Sequence, residues 1–271
     1  MTLSTAAPAS ASAFGRHMKL WRRQSGISQL ELAVRAGLSQ RHVSFIETGR
    51  SRPGEDVVYK VAEALEIPLR DRNSMLEAAG LAPSYRELPL SDEVAAPYEM
   101  VVRKLMDAHA PYPAFVINRW WEMVDANGPG RRLFPVFGDG PVDIVDTFLK
   151  PGPNREMFDN FAASGWTFLR RLRREVAHAG PDERLEDVLR RAETYMEDVP
   201  PDLEKPGDEL VVCPNFRING RVIKTIGMVA RFGTAREVTL DELRVELMYP
   251  MDEEADQFFR ALSEEPATAM P

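Results

Sequence analysis

The sequence of 271 residues contains a single cysteine, Cys213, and only four histidines. One cysteine cannot form an internal disulfide or supply a cluster of thiolate ligands, so a disulfide scaffold and a cysteine-based metal site are both excluded. No run of 18 apolar residues occurs, and no membrane-spanning helix is therefore predicted. The start of the chain lacks the basic and apolar regions of a secretory signal, so we expect a cytoplasmic protein.

Basic residues are also outnumbered, because 34 Lys and Arg stand against 42 Asp and Glu and give a net charge of −8. This charge is unevenly distributed along the chain. Residues 14–82 carry a net charge of +3, and residues 16–52 alone carry +6, whereas residues 83–271 carry −11. A small basic segment on an acidic chain is typical of a phosphate-binding module that is joined to a domain with another role.

Changes in composition divide the chain into five predicted segments. Residues 1–13 are small and uncharged and are predicted to form a disordered arm. Residues 14–82 show five short helical periods separated by Gly, Ser and Pro, which predict a compact all-α domain. Residues 83–91 lack a clear period and are predicted to be a linker, and they precede a second domain over 92–265 and a tail over 266–271.

Residues 28–53, SQLELAVRAGLSQRHVSFIETGRSRP, predict a helix, a tight turn and a second helix. The first turn of the second helix exposes polar side chains, and in a helix-turn-helix these residues meet base edges in the major groove. Arginine pairs with guanine and glutamine with adenine, so Gln40 and Arg41 are suited to reading bases. Residues with the spacing of an inward face are Leu30, Leu32, Ala33, Leu38, Val43 and Ile46.

This stretch resembles the Cro/C1-type helix-turn-helix of the XRE family of transcription regulators over about residues 14–82. Ser28-Gln29, Gly37 and the ending Glu47-Thr48-Gly49-Arg50-Ser51-Arg52-Pro53 carry the resemblance. It implies double-stranded DNA as a partner, and it agrees with a homodimer that reads two half-sites.

The resemblance also assigns roles by position. Gln29 resembles the phosphate-contacting glutamine of the family, and Arg22 and Glu47 resemble a buried ion pair that joins the first and third helices. Phe45 stands where the family often has a polar residue, which leaves two roles open, contact with a thymine methyl group or packing. The predicted DNA-contacting residues are Gln29, Ser39, Gln40, Arg41, Ser44, Arg50 and Arg52.

The second domain mixes helical and strand-like patterns, which predict an α+β fold with an antiparallel sheet. AFVI and WWEMVDAN predict a strand pair, and helices are predicted over 154–178 and 183–197. Asn219-Gly220 lies between two apolar runs and predicts a hairpin. In ELRVELMY the apolar residues alternate, which predicts a strand whose buried face is formed by Leu243, Val245, Leu247 and Tyr249. Asp252 is predicted to cap a closing helix after this strand.

No catalytic signature or metal-ligand spacing is present in the second domain, so neither an enzyme activity nor a cofactor is predicted. Cys213 beside Pro214 is interpreted as a buried, inert thiol. Inward-facing aromatic and methionine residues predict either an ordinary core or the wall of an apolar cavity. The residues predicted to line such a cavity are Phe115, Ile117, Trp121, Met123, Phe161, Trp166, Arg217 and Met228, and the cations considered for a carboxylate head are Arg119, Arg217 and Lys224.

PAFVINRWWEMVDAN, the turn over residues 127–134 and the ending FGTAREVTLDELRVELMYPMDEEADQFF resemble the MmyB-like ligand-binding domain. This domain has a PAS-like fold and follows an XRE-type module. The resemblance implies a small apolar ligand, of which a fatty acid is one example. Two alternatives stay open, a dimerisation or protein-interaction domain without a small ligand and an enzyme that acts on an apolar substrate.

Overall fold

The structure is a computed structural model that describes residues 12–89, 92–134, 140–201 and 211–264. The chain folds into two compact units. Unit 1 consists of Met1–Glu87, Ala177–Gly180 and Arg236–Val238, and unit 2 contains the rest of the chain. The predicted tail and most of the predicted arm lie outside the described residues, but Ser12 caps the first helix and Ala13 begins it.

The helical part of unit 1 contains the five helices that the sequence predicts. Ser, Gly or Pro stands at the N-cap of each of them, because these residues suit the extended backbone that precedes a helix. The helices are α1 (Ala13–Gln24), α2 (Gln29–Arg35), α3 (Gln40–Glu47), α4 (Glu55–Ala64) and α5 (Leu69–Ala78).

A single apolar core joins these five helices, and α1 supplies Phe14 and Met18 to it with no exposed surface. Helices α1 and α3 approach each other closely at Gly15, where a Cβ atom would lie 2.5 Å from the carbonyl oxygen of Ile46. Five of the six predicted inward residues are buried or packed against this core. Leu30 is the exception, because 56% of its surface is exposed on α2, and the prediction for it is wrong.

Unit 2 has the α+β architecture that the sequence predicts. Its helices are α6 (Ala96–His109), α7 (Gly128–Leu133), α8 (Ile144–Leu149), a 3₁₀ helix (Pro153–Met157), α9 (Phe161–Ala177), α10 (Glu183–Met196), α11 (Val238–Glu242) and α12 (Glu253–Glu264), except that the last residue of α9 and the first of α11 belong to unit 1. Its strands are β1 (Ala114–Ile117), β2 (Glu122–Ala126), β3 (Val142–Asp143), β4 (Phe216–Ile218), β5 (Arg221–Ile223), β6 (Thr225–Ala230) and β7 (Arg244–Pro250).

Five strands form one antiparallel sheet in the order β3-β2-β1-β7-β6. The first and last strands of the unit, β1 and β7, are therefore neighbours, with Phe115 opposite Glu246. One face of the sheet packs on α6 through the predicted alternating residues of β7, since Val245 and Leu247 are buried there and Tyr249 packs against them. The opposite face carries the cavity described below.

Three local details differ from the predicted pattern. The hairpin at Asn219-Gly220 is confirmed as β4 and β5, but the second apolar run is divided, because β6 begins at Thr225 and joins the main sheet instead. The predicted strand WWEMVDAN begins only at Glu122, since the two tryptophans lie in the turn. The helix predicted from residue 154 is a short 3₁₀ helix followed by α9 from Phe161.

Candidate DNA interface and ligand cavity

The helix-turn-helix is built by two N-caps and one glycine. The Ser28 hydroxyl accepts a hydrogen bond from the Glu31 amide at 3.1 Å, and the Ser39 hydroxyl accepts one from the His42 amide at the same distance. Gly37 has a φ of +62° in the turn between α2 and α3, a conformation that glycine adopts without strain. The sequence thus determines where α3, the predicted recognition helix, begins.

The start of α3 presents the residues that are suited to reading bases. Gln40 and Arg41 are both exposed in its first turn, while Ser44 one turn later is half-buried. Ser39 is exposed at the N-cap, where its hydroxyl is already engaged by the helix. The main-chain carbonyl of Ser44 accepts a hydrogen bond from the Thr48 hydroxyl at 2.8 Å.

Phe45 organises two arginines at the exposed side of α3. Its half-buried ring lies 5.0 Å from the guanidinium carbon of Arg41 and 5.9 Å from that of Arg50. Both distances are within the range of a cation–π interaction, which holds a guanidinium over the face of an aromatic ring. The ring of Phe45 therefore packs against two cations, and its contact with a thymine methyl group stays a prediction.

A buried carboxylate joins three helices below this surface. Arg22 of α1 donates from Nε to Oε1 of Glu47 at 2.7 Å, and its Nη1 donates to the Ile27 carbonyl at 2.8 Å. The Glu47 side chain is only 3% exposed. Gln29, the first residue of α2, donates from Nε2 to Oε2 of Glu47 at 2.7 Å. The side chain that resembles a phosphate-contacting glutamine is therefore oriented by the Arg22–Glu47 ion pair.

Arg52 has a different environment from the other predicted DNA-contacting residues. Although the residue is exposed, its Nε donates to the Ala79 carbonyl at 3.2 Å at the end of α5. Gly80 has a φ of +74°, and a Cβ atom there would lie 2.1 Å from Nη2 of Arg52. The geometry of Arg52 is thus that of a side chain that caps a helix C-terminus.

In unit 2, a cavity of about 360 Å³ lies against the face of the sheet opposite α6. Strands β1, β2, β6 and β7, helices α8 and α9, and residues 211–216 contribute to its wall. Most of the lining is aromatic or aliphatic, and its side chains include those of Phe115, Ile117, Trp121, Met123, Phe134, Ile144, Phe148, Phe158, Phe168, Val211, Val212, Pro214, Phe216, Val229 and Met248. This volume lies in the range of small-molecule sites, about 300 to 1,000 Å³.

Four of the eight residues predicted to line a cavity contribute to this one, and they are Phe115, Ile117, Trp121 and Met123. They occupy β1, the turn that follows it and β2, where the sequence pattern is clearest. The other four predictions are wrong, because the structure places Phe161, Trp166, Arg217 and Met228 outside the cavity lining.

Strand periodicity explains two of these corrections. On β6 the neighbours Gly227 and Val229 line the cavity, so the intervening Met228 points to the other side and is 58% exposed. On β4 Phe216 lines the cavity, and Arg217 points outward and pairs with Asp159.

Helix geometry explains the other two. On α9 the residues that reach the cavity recur at helical spacing from Ser164 to Arg171. Phe161 lies one turn earlier, against Phe148 and under the Arg155 guanidinium. Trp166 lies on another side of the helix and donates from its indole to the Pro200 carbonyl at 2.9 Å.

Among the lining residues that the structure describes, Arg171 and Glu246 are the only charged ones. Nη2 of Arg171 donates to Oε1 of Glu246 at 2.8 Å, and its Nε donates to Glu175 at 3.2 Å. Burial disfavours the charged form of Arg171, but Glu246 and Glu175 outweigh this effect and raise the pKa of the guanidinium. Neither of the cations Arg119 and Lys224 belongs to the described lining.

A second arginine lies behind this pair. The Arg244 side chain is 2% exposed and lies 3.7 Å above the Trp121 ring, and its Nη1 donates to both oxygens of Glu175. Burial lowers the pKa of Arg244, although Glu175 offsets part of that effect. The guanidinium still carries its charge at neutral pH, because an arginine pKa lies far above 7.

The polar uncharged groups of the lining are largely engaged with the main chain. The hydroxyls of Thr147, Ser164 and Thr225 donate to the carbonyls of Asp143, Asn160 and Pro214, respectively. The Cys213 thiol sulfur accepts a hydrogen bond from the Gly227 amide at 3.0 Å. The cavity therefore offers apolar surface with one charged patch, formed by Arg171 and Glu246.

The sequence pattern did not identify this charged patch. Arg244 and Glu246 alternate with the buried apolar residues of β7, and charged residues at such positions usually mark a solvent-exposed face. In this structure α9 covers the face of β7 that carries Glu246, and this face is therefore an inner surface. The spacing within α9 did indicate that Arg171 accompanies an aromatic residue, because Phe168 and Arg171 are three residues apart and share one face of the helix.

Two family models match the chain. The model described as the MmyB-like transcription regulator ligand binding domain covers residues 99–262, and a helix-turn-helix model covers residues 18–71. An uncharacterized HTH-type transcriptional regulator of Sinorhizobium fredii is 36% identical to the chain over 53 residues, which are 20% of this chain and 69% of that protein.

The exposed recognition helix in a basic segment and the separate domain with a cavity define a DNA-binding transcription regulator of the helix-turn-helix class. The chain belongs to the family of MmyB-like transcription regulators, since the model of their ligand-binding domain covers more than half of it. Among the residues that the structure describes, no helix combines the length and apolar character needed to cross a membrane.

Proposed function

We propose that the chain binds promoter DNA as a homodimer and that a small apolar ligand, such as a fatty acid, regulates this binding from the cavity. The observation that carries the proposal is the cavity of about 360 Å³ with its predominantly aromatic and aliphatic lining. Apolar surface of this kind favours ligands whose transfer from water is itself favourable. The cavity lies wholly within the residues that the ligand-binding domain model covers.

The open volume favours a small ligand over the protein-interaction alternative. A domain that only dimerises or binds a protein needs no cavity of this volume with an aromatic lining, because packed protein surfaces leave few voids. At about 30 Å³ for each water-sized group, a cavity of about 360 Å³ holds about a dozen such groups. A saturated chain of about ten carbons with a small head group has this size.

The proposed mechanism requires two recognition helices at a fixed spacing. In a dimeric helix-turn-helix protein, half-sites lie about 34 Å apart, one turn of DNA. The ligand acts by binding one dimer arrangement more tightly than another, because equal affinity for both arrangements would shift nothing. Arg41 and Gln40 then read bases, and Arg50 contributes a charge that attracts phosphates.

Two neighbouring residues of β6 provide a matched test of the cavity. Val229 lines the cavity although 42% of its surface is exposed, so Val229→Trp adds an indole at the cavity wall, whereas Met228→Trp adds the same group on the opposite side of the strand. Purified full-length protein is extracted with organic solvent, and the extract is analysed by mass spectrometry. We expect an apolar compound at about one equivalent with the parent chain and with Met228→Trp, and a clear loss with Val229→Trp. Equal amounts from all three proteins would contradict the proposed site.

Two arginines test the DNA interface. Arg41→Ala is expected to weaken binding to a DNA site selected by the full-length chain by about 1 to 3 kcal/mol, because base contacts carry sequence information. The affinity of this variant for random DNA is expected to stay unchanged. Arg50→Ala is expected to weaken both sequences alike and to reduce the dependence on salt. Fluorescence anisotropy on both DNAs measures the difference. Equal losses on both DNAs with Arg41→Ala would remove its assignment as a base reader.

A further inference from the structure

Phe45 is an apolar side chain on the exposed face of the recognition helix. The buried residues Val43 and Glu47 of α3 stand two positions before and two positions after it. A helix turns by about 100° at each residue, so Phe45 lies on nearly the opposite side of α3 from both. Among the described residues, those that form or pack against the core of unit 1 do not include Phe45. The ring therefore belongs to the face that carries Arg41, one helical turn earlier.

The Phe45 ring and the arginines beside it form one ordered surface. The guanidinium carbon of Arg41 lies 5.0 Å from the ring centroid and that of Arg50 lies 5.9 Å from it. The main-chain carbonyl of Phe45 accepts hydrogen bonds from the amides of Arg50 at 2.8 Å and Ser51 at 3.2 Å, which fix the end of α3. Side chains that are already ordered lower the cost of binding.

The position of the ring relative to Arg41 is suited to the stacking of DNA. An arginine that reads guanine binds O6 and N7 in the plane of that base. Successive base pairs lie about 3.4 Å apart, so a ring centroid 5.0 Å from the Arg41 guanidinium reaches the level of the neighbouring base pair. The apolar group that a standard base pair presents in the major groove is the C5 methyl of thymine.

We infer that Arg41 and Phe45 together read a guanine and a 5-methylpyrimidine in the neighbouring base pair. Arg41 binds the guanine, and the Phe45 ring packs against the C5 methyl group. Thymine carries this methyl in unmodified DNA and 5-methylcytosine presents the same group, so DNA affinity responds to cytosine methylation at this step. This inference rests on the proposed function, because it names the feature of the DNA that the recognition helix reads.

Base analogues test this inference one chemical group at a time. The probe is a duplex with a site selected by the full-length chain, and fluorescence anisotropy measures its affinity. The guanine that Arg41 reads is the one whose replacement by 7-deazaguanine, which lacks the N7 acceptor, weakens the parent chain but not Arg41→Ala. Thymines in the base pairs beside it are then replaced by uracil, which lacks only the methyl group. The parent chain is expected to lose affinity by about fourfold, the effect of one buried methyl group.

Variants of Phe45 assign the methyl contact to its ring. Phe45→Ala is expected to bind the thymine and uracil duplexes equally, whereas Phe45→Leu keeps apolar surface and is expected to retain about a twofold preference for thymine. Val34→Ala is the matched control, since it shortens an apolar side chain of α2 that is 74% exposed, and it is expected to keep the fourfold preference. With 5-methylcytosine in place of cytosine at the same position, the parent chain is expected to bind about fourfold more tightly.

The outcomes separate this inference from the proposed function. Equal affinity of the parent chain for the thymine and uracil duplexes, or a selected site without a guanine that depends on Arg41, would overturn the inference and leave sequence-specific DNA binding in place. A fourfold methyl effect that persists in Phe45→Ala would overturn the assignment to this ring. Failure of the full-length chain to select any site would overturn the proposed DNA binding and the inference with it.

Discussion

Replacement of Arg22 by alanine tests how the helix-turn-helix unit is held together. The change removes two hydrogen bonds to Glu47, at 2.7 and 3.2 Å, and a third to the Ile27 carbonyl at 2.8 Å. It leaves a carboxylate that is 3% exposed with Gln29 as its remaining side-chain donor among the described residues. Breaking a buried pair by removing one partner costs about 3 to 5 kcal/mol. A domain with a total stability of about 5 to 15 kcal/mol would lose much of it.

Hydrogen exchange with mass spectrometry measures this loss in peptides from α1 to α5. An opening free energy lowered by about 3 kcal/mol speeds exchange about a hundredfold in the most protected amides. The matched control is Arg35→Ala, which removes the arginine of an exposed pair with Glu31, 49% and 47% exposed. That pair is expected to contribute about 0.5 kcal/mol or less. Equal, small effects of the two changes would refute the structural role assigned to the Arg22–Glu47 pair.

Three other features of the structure can be tested by single substitutions. Phe45→Leu removes two cation–π contacts of about 0.5 to 1 kcal/mol each. Fluorescence anisotropy is therefore expected to show that DNA affinity falls by about five- to thirtyfold, while the domain stays folded. Gly15→Ala is expected to destabilise unit 1 by about 1 to 3 kcal/mol in urea unfolding, whereas Gly54→Ala, which has open space, costs less than about 1. Burial lowers the pKa of His109 in the folded chain below its value of about 6.5 in the unfolded chain. As the pH falls through about 6.5, the unfolded chain therefore takes up a proton before the folded chain does, and the free energy of unfolding decreases. His109→Gln should remove this dependence, and an unchanged pH profile would contradict it.

Local signals in the sequence were sufficient for the helix-turn-helix. Caps at Ser28 and Ser39 and the turn at Gly37 each act within four residues, so the pattern predicts the helices correctly. The alternating face of β7 and the hairpin at Asn219-Gly220 are local in the same sense.

Contacts between distant segments were harder to predict. Arg171 and Glu246 are 75 residues apart, and nothing within either segment indicates that they meet at one cavity wall. Leu30 fits an apolar period, yet it lies on the exposed side of α2, because seven residues are too few to define a face. Arg217 carries a charge that suits a carboxylate head, but the alternation of side chains along β4 directs it outward.

The most direct test of the account measures DNA binding and cavity occupancy together. Genomic fragments selected by the full-length chain are labelled, and their affinity is measured by anisotropy with and without saturating decanoate, for the parent chain and for Val229→Trp. The account predicts that the ligand changes the affinity of the parent chain and leaves that of Val229→Trp unchanged. Identical affinities with and without ligand in the parent chain, at concentrations where calorimetry shows the cavity filled, would contradict it.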